Sequence, residues 1–430
     1  MTGQRLSAFA LAAALASGLP AAAQAANART TLVDLGGSRA YVRSDAAASL
    51  ATVVLFVRAG LDRQTAGQNG LAALVAESVL HTPLDGVPLT DAVDAKGGSI
   101  AIAVSAQYVR FSLEAPPDAL PAVAALVARA LAAPSFEPAV LTAARAKLGQ
   151  RIADDEADPR MVGLGMLRAS YYRDGAGLPA LGTPAGLSAL APQDARAFFT
   201  RWYLRGDAYV TAVGSTGENA AAVSRTLVAA LPAGSTTQPP IGTHAYTAQP
   251  KRIVTHRDVF APYVVLGFAA PSLGDKDFAA ALVMRSILGD VFQRVGATTL
   301  PPAFRAVGAM YGYDVDPAQF ALWINGSRID PSTGLATVDA VLSGAAKKAL
   351  APAVLARYKE TARGEWSLES LSLDERAFAI GNAVALGLDA DAADGVTAAI
   401  GRVTASDLQR VAKKYFLRYD VALVLPRSGS

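Results

Sequence analysis

Residues 190–211 read LAPQDARAFFTRWYLRGDAYVT, and residues 403–424 read VTASDLQRVAKKYFLRYDVALV. The two stretches align without a gap and place Asp194 opposite Asp407. Each stretch predicts a capped helix with an aromatic end, a short turn and a strand. Because the repeat distance is close to half the chain, we expect two homologous domains that arose by internal duplication.

The segment between the two copies sets the expected domain boundaries. Residues 232–250 are rich in Pro, Gly, Ser and Thr, a composition typical of a linker. We therefore expect a first domain over residues 29–231 and a second domain over residues 251–430.

The order of strands and helices within each half predicts the fold class. The expected strands of the first half are 52–58, 99–105 and 108–114, and its expected helices are 67–81, 118–132 and 137–156. The second half is expected to repeat this with strands 263–268 and 320–325, a helix at 276–289 and three or four later helices. Strands that pair locally with helices beside them indicate an α+β fold, with two α/β-sandwich-like domains of mostly antiparallel sheet.

The N-terminus has the features of a secretory signal peptide. Arg5 precedes an apolar stretch, Leu6–Leu19, and Ala23–Ala25 forms a small-residue cleavage site. About 14 apolar residues are too few to span a bilayer, so we expect residues 1–25 to be removed on export to the periplasm. No other apolar segment approaches the length of a membrane span.

Composition excludes several classes of function. The formal net charge is +3, and no Lys/Arg-rich block stands out, so we expect no nucleic-acid partner. The chain contains no cysteine, which excludes disulfides and thiol catalysis. The three histidines, at positions 81, 244 and 256, are never four residues apart, so no helix can present a two-histidine zinc face. The acidic stretch 154–158 indicates a solvated helix end more than a calcium site.

Several short motifs occur in an order that resembles the M16 (pitrilysin-type) peptidases, in particular the bacterial heterodimeric subfamily related to mitochondrial processing peptidase. The matching segments are Val57–Gly60, Gly70–Ala72, Leu181–Thr183, Leu187–Asp194 and Ala212–Gly214. With the internal duplication, the resemblance covers nearly the whole chain after the expected signal peptide.

The resemblance implies that the metal site has been lost. In active members Gly-Leu-Ala is followed by His-x-x-Glu-His, whose histidines bind zinc and whose glutamate is the general base. The three functional positions fall here on Ala73, Ala76 and Glu77, and the family's third ligand falls on Arg151. A methyl group cannot bind zinc and a cation repels it. We therefore expect no metal and no peptidase activity in this chain alone.

The resemblance also implies a surviving pair of site residues in the second half. Family members whose second domain faces the zinc carry an arginine and a tyrosine that bind substrate and its developing negative charge. Phe304–Tyr311 reads FRAVGAMY, which assigns this role to Arg305 and Tyr311. Tyr313 is a rival for the tyrosine because it shares a strand face with Tyr311.

Three functions remain open from the sequence. The first is a non-catalytic subunit that supplies Arg305 and Tyr311 to a homologous His-x-x-Glu-His chain, which would hold the zinc. Its substrate would be a peptide or unfolded protein that adds as a strand to a sheet edge. The second is a peptide-binding or scaffold protein of the same fold. The third is an unrelated hydrolase that uses His256.

Overall fold

Two β-sheets organise the chain. A computed structural model describes residues 29–237, 251–298, 306–312, 314–325 and 331–427. The strands of the first sheet are β1 (Thr31–Asp34), β2 (Arg39–Ser44), β3 (Ala51–Val57), β6 (Ser99–Val104), β7 (Val109–Ala115) and β8 (Ala208–Gly214). A separate two-stranded hairpin consists of β4 (Pro83–Leu84) and β5 (Val87–Pro88). The strands of the second sheet are β9 (Arg252–Arg257), β10 (Tyr263–Ala270), β11 (Ala306–Gly312), β12 (Ala318–Asn325) and β13 (Asp420–Pro426).

The two sheets share one topology. Their strand orders are β1-β2-β8-β3-β7-β6 and β11-β12-β10-β13-β9. Neighbouring strands are antiparallel except for the β2–β8 and β9–β13 pairs, which are parallel and lie at equivalent places. The expected α+β class with two homologous, mostly antiparallel sheets is therefore confirmed.

Helices cover both sheets. Those in the first half are α1 (Leu71–Leu80), α2 (Leu89–Asp94), α3 (Leu120–Ala132), α4 (Pro138–Ala157), α5 (Pro159–Tyr171), α6 (Pro184–Ala189), α7 (Pro192–Trp202) and α8 (Asn219–Ala229). Those in the second half are α9 (Phe278–Thr298), α10 (Pro331–Lys347), α11 (Pro352–Leu368), α12 (Leu373–Ala385), α13 (Val396–Arg402) and α14 (Ala405–Val411).

Two expectations for the second half were wrong. Helix α9 continues to Thr298, well beyond the expected end at residue 289, because Gly289 alone does not stop a helix whose other residues favour it. Five helices, not three or four, follow β12 in the described chain. The expected signal peptide and most of the expected linker lie outside the described residues.

Strand β3 is buried on both faces, which explains its uninterrupted apolar sequence ATVVLFV. Its odd-numbered residues, Val53 and Leu55 among them, pack against the helices of the first half. Its even-numbered residues Val54 and Phe56 pack against α12, which belongs to the second half.

Each half contributes one helix that covers the sheet of the other half. While α12 covers the outer face of the first sheet, α5 covers the outer face of the second, where Leu167 packs against Val265 and Ala422. Polar contacts join the same surfaces: Tyr209 donates a hydrogen bond to the Gly381 carbonyl at 2.9 Å, and Tyr172 donates one to the Pro317 carbonyl at 2.8 Å. Each sheet thus depends on the other half for one of its two covering layers.

Candidate functional site

Helix α1 begins where two chain segments pass unusually close to each other. Gly70 and Gly182 both have positive φ, at 101° and 82°. A Cβ atom on Gly182 would lie 2.5 Å from the Cα of Gly70, so only glycine fits there. The side-chain oxygen of Gln64 then accepts a hydrogen bond from the Ala72 amide at 3.0 Å. Two of the family-like motifs, Gly70–Ala72 and Leu181–Thr183, therefore meet at the start of this helix.

All ten residues of α1 are buried. Ala73 and Ala76 expose none of their surface, and the Glu77 side chain exposes 4%. Helices α4 and α7 pack against α1. The face on which an M16 peptidase would present its ligands is thus part of the core of this domain.

Glu77 lies beside one histidine and one arginine. Its Oε1 lies 3.4 Å from Nε2 of His81, one turn later, and its Oε2 lies 3.8 Å from Nη1 of Arg151 on α4. Burial raises the pKa of the Glu77 carboxyl above its ordinary value, while His81, Arg151 and Lys147 partly oppose that rise. The carboxylate is therefore engaged with its neighbours inside the domain.

These residues do not fit a zinc ion. Zinc in peptidases needs three protein ligands and an open position for water. Of the three ligand positions, the first holds the Ala73 methyl group and the third holds the Arg151 guanidinium, which faces Glu77. The general-base position holds the Ala76 methyl group. Over the residues the structure describes, no three His, Cys, Asp or Glu side chains are grouped closely enough to hold a metal ion. A metal-free chain stays a prediction that metal analysis of the purified protein can test.

The raised pKa of Glu77 gives a pH dependence of stability. The folded chain retains the Glu77 proton at pH values where the unfolded chain has lost it, so this group destabilises the fold as the pH rises above 4.5, its ordinary pKa. We expect Glu77→Gln to match the wild type in denaturant unfolding near pH 4 and to be more stable at pH 7.5. Glu156→Gln, at the exposed end of α4, is the matched control. A difference between Glu77→Gln and wild type that does not vary with pH would contradict this prediction.

The structure describes one of the three predicted substrate-binding residues. Tyr311 lies on β11, is buried, and donates a hydrogen bond to the Pro271 carbonyl. Its ring packs against Phe278 and Phe320, at centroid distances of 5.4 and 6.0 Å. Burial raises the pKa of Tyr311 well above its ordinary value, which keeps the hydroxyl neutral.

Arg305 and Tyr313 lie outside the described residues, so their pairing with Tyr311 stays a prediction. His256, the alternative catalytic residue, lies on the edge strand β9 and is exposed.

Sequence reasoning missed the contact between Glu77 and Arg151, because ion pairs between distant residues leave no periodic signal. Both residues were nevertheless identified as replacements at metal-ligand positions. Their proximity agrees with the resemblance that places Arg151 at the third ligand position.

Two family models match the chain. Residues 39–184 match the model described as Insulinase (Peptidase family M16), and residues 189–310 match the model described as Peptidase M16 inactive domain. No curated protein matches the chain in sequence.

Solved structures share the fold over most of the chain. A protease from Helicobacter pylori superposes with a TM-score of 0.81 at 17% identity, covering 93% of this chain and 100% of that one. A peptidase M16 inactive domain from Pseudomonas fluorescens gives 0.78 at 14% identity, covering 93% and 98%. The periplasmic protease PqqL from Escherichia coli gives 0.73 at 14% identity, covering 93% of this chain and 46% of that one. At these identities the likeness concerns the fold.

No helix in the described part of the chain combines the length and the apolar character needed to cross a membrane.

Proposed function

Since the chain belongs to the peptidase M16 family, we propose that it is the non-catalytic subunit of a two-chain peptidase. A homologous chain with the His-x-x-Glu-His motif would hold the zinc and perform the hydrolysis. The observation that carries this proposal is the state of α1: Ala73 and Ala76 are fully buried, and the Glu77 carboxylate is held by Arg151 and His81. The fold is retained around a helix on which alanine occupies one metal-ligand position and the general-base position, while Glu77, at the other ligand position, contacts Arg151 and His81.

The contribution of this chain would come from its second half. Arg305 is a permanent cation with a planar set of donors, suited to a carbonyl oxygen that gains negative charge during hydrolysis. A neutral tyrosine hydroxyl would add a second donor. We propose that Arg305 acts with Tyr311 or Tyr313 on a peptide or unfolded segment bound near the zinc of the partner.

The periplasm is the proposed compartment. Support comes from the signal-like sequence of residues 1–25 and from the absence of cysteine. A structural neighbour described as a periplasmic protease agrees with this assignment.

Peptide hydrolysis by reconstituted mixtures tests the proposal. We expect the chain alone to be inactive, and its mixture with the zinc-bearing partner to exceed the partner alone at least tenfold. Arg305→Ala should lower kcat/KM of the mixture by about 10²-fold, because one donor to the developing oxyanion is lost. Arg225→Ala is the control, since Arg225 is exposed on α8 in the other half. Equal activity of the Arg305→Ala and Arg225→Ala mixtures would contradict the proposed role.

The two tyrosines are separated by the same assay. Because the Tyr311 hydroxyl bonds to the Pro271 carbonyl in the core, Tyr311→Phe is expected to reduce stability by about 1 kcal/mol. A fall in kcat at temperatures where Tyr311→Phe remains folded would assign the catalytic role to Tyr311, and a fall only with Tyr313→Phe would assign it to Tyr313. Tight peptide binding by the chain without any gain in partner activity would favour a binding or scaffold protein instead.

A further inference from the structure

The two halves contain matching helix pairs. In α1, residues 73–80 read ALVAESVL, and in α9, residues 281–288 read ALVMRSIL. Helices α4 and α11 both begin with the sequence PAVL, at Pro138 and Pro352. In each half the first helix packs directly against the second. The sequence and the packing therefore define the same pair twice, α1 with α4 and α9 with α11.

This correspondence places two ion pairs at equivalent positions with opposite charge order. Glu77 and Arg285 are both the fifth residue of the shared helical segment, and each precedes a serine. Arg151 and Glu365 both follow their PAVL proline by thirteen residues. The side-chain distances are alike, 3.8 Å for Glu77–Arg151 and 3.5 Å for Arg285–Glu365.

Burial of the two pairs is also alike. The member on the central helix is buried in both, with 4% of the Glu77 side chain and 10% of the Arg285 side chain exposed. The member on the covering helix reaches solvent in both, with 37% exposure for Arg151 and 38% for Glu365. A buried charge is tolerated when a partner compensates it, and removing that partner alone costs more than removing both charges.

We infer that Glu77–Arg151 and Arg285–Glu365 are two copies of one helix-pairing contact, in which the order of the charges can be exchanged. In the first half this contact occupies the place where an M16 metal site would need two of its ligands. The contact between α1 and α4 therefore serves helix packing, as the equivalent contact between α9 and α11 does in the second half.

Double-mutant cycles on the full chain test it, with Tm as the readout. Arg151→Gln is expected to lower Tm by about 3 °C in wild type, because it removes the guanidinium beside the buried Glu77 carboxylate and leaves His81 as its nearest partner. In the Glu77→Gln background the same change should move Tm by less than about 1 °C. Glu365→Gln should likewise cost more in wild type than in the Arg285→Gln background, with Glu369 reducing the difference because it also bonds to Arg285 at 2.5 Å.

The exposed Glu137–Arg196 pair, at 2.7 Å, is the matched control, and its two substitutions should be additive. The charge exchange Glu77→Arg with Arg151→Glu provides a second readout: the double variant should have a higher Tm than either single variant. Additive losses in either half, or an exchanged variant no more stable than both single ones, would overturn the inference. The cycles measure the stability of this chain, whereas the proposed function is tested by the peptidase activity of the mixture with its partner. The two proposals can therefore fail independently.

Discussion

Gly381→Ala is expected to lower the free energy of unfolding by about 3 kcal/mol. A Cβ atom at this position in α12 would lie 2.1 Å from Cζ of Phe56 and 2.3 Å from its Cε2. The Phe56 ring cannot retreat, because it stacks on Tyr209 at 4.8 Å and meets Tyr108 edge-on at 5.1 Å. The added methyl group must therefore push α12 away from the first sheet.

Denaturant unfolding followed by circular dichroism measures this loss, and hydrogen exchange of the β3 amides locates it. Gly364→Ala is the control: it lies in α11, is exposed, and has no neighbour within 4 Å of the added methyl group. Alanine should stabilise that position by about 0.5–1 kcal/mol through helix propensity. A Gly381→Ala protein as stable as wild type would show that α12 does not press on Phe56 in solution.

Gly163→Ala should cost about 2 kcal/mol at the reciprocal contact. A Cβ atom on Gly163 in α5 would lie 2.4 Å from Cγ2 and 3.1 Å from Cβ of Val265. Val265 is fully buried in β10, and its β-branched side chain has little rotational freedom. The helix must therefore shift from the second sheet.

The control for this substitution lies on the same helix, two residues later. Gly165 is exposed and has open space around the position of an added methyl group, so Gly165→Ala is expected to gain about 0.5–1 kcal/mol. Opposite signs for the two substitutions, measured by the same unfolding experiment, would support the packing of α5 on β10. A loss of equal size at both positions would contradict it.

Much of the fold could be predicted because it is recorded in local patterns. The repeat at residues 190–211 and 403–424 indicated two domains, and alternating or continuous apolar residues indicated β3, β6 and β7 to within one residue at each end. Helix α4 ends at Ala157, before Pro159, where the sequence placed its end.

The exchange of α5 and α12 could not be predicted in this way. The apolar face of each helix predicts that this face is buried. An amphipathic pattern does not indicate against which of the two sheets the helix packs. The end of α9 was also missed: the expected helix stopped at residue 289, whereas the helix continues to Thr298.

The sequence predicted which metal ligands the candidate site lacks, but not which contacts its residues make. The resemblance assigned Ala73, Glu77 and Arg151 to metal-ligand positions and Ala76 to the position of the general base. The structure places Arg151 next to Glu77. A second internal repeat, PAVL at 138 and 352, could have suggested the matching pair in the other half, but it is only four residues long. Charge reversal between the copies removes the identity that a repeat search would detect.

Because α12 belongs to the second half, the first sheet cannot be fully covered by the first half alone. When only the first half of the chain is available for folding, the outer face of its sheet, with Val54, Phe56 and Tyr209, is not yet covered by α12. That helix ends at Ala385, so the apolar face remains uncovered until most of the second half has been made. Partly made chains with such surfaces aggregate, and chaperones commonly bind them. The first sheet is therefore fully covered only when most of the second half is present.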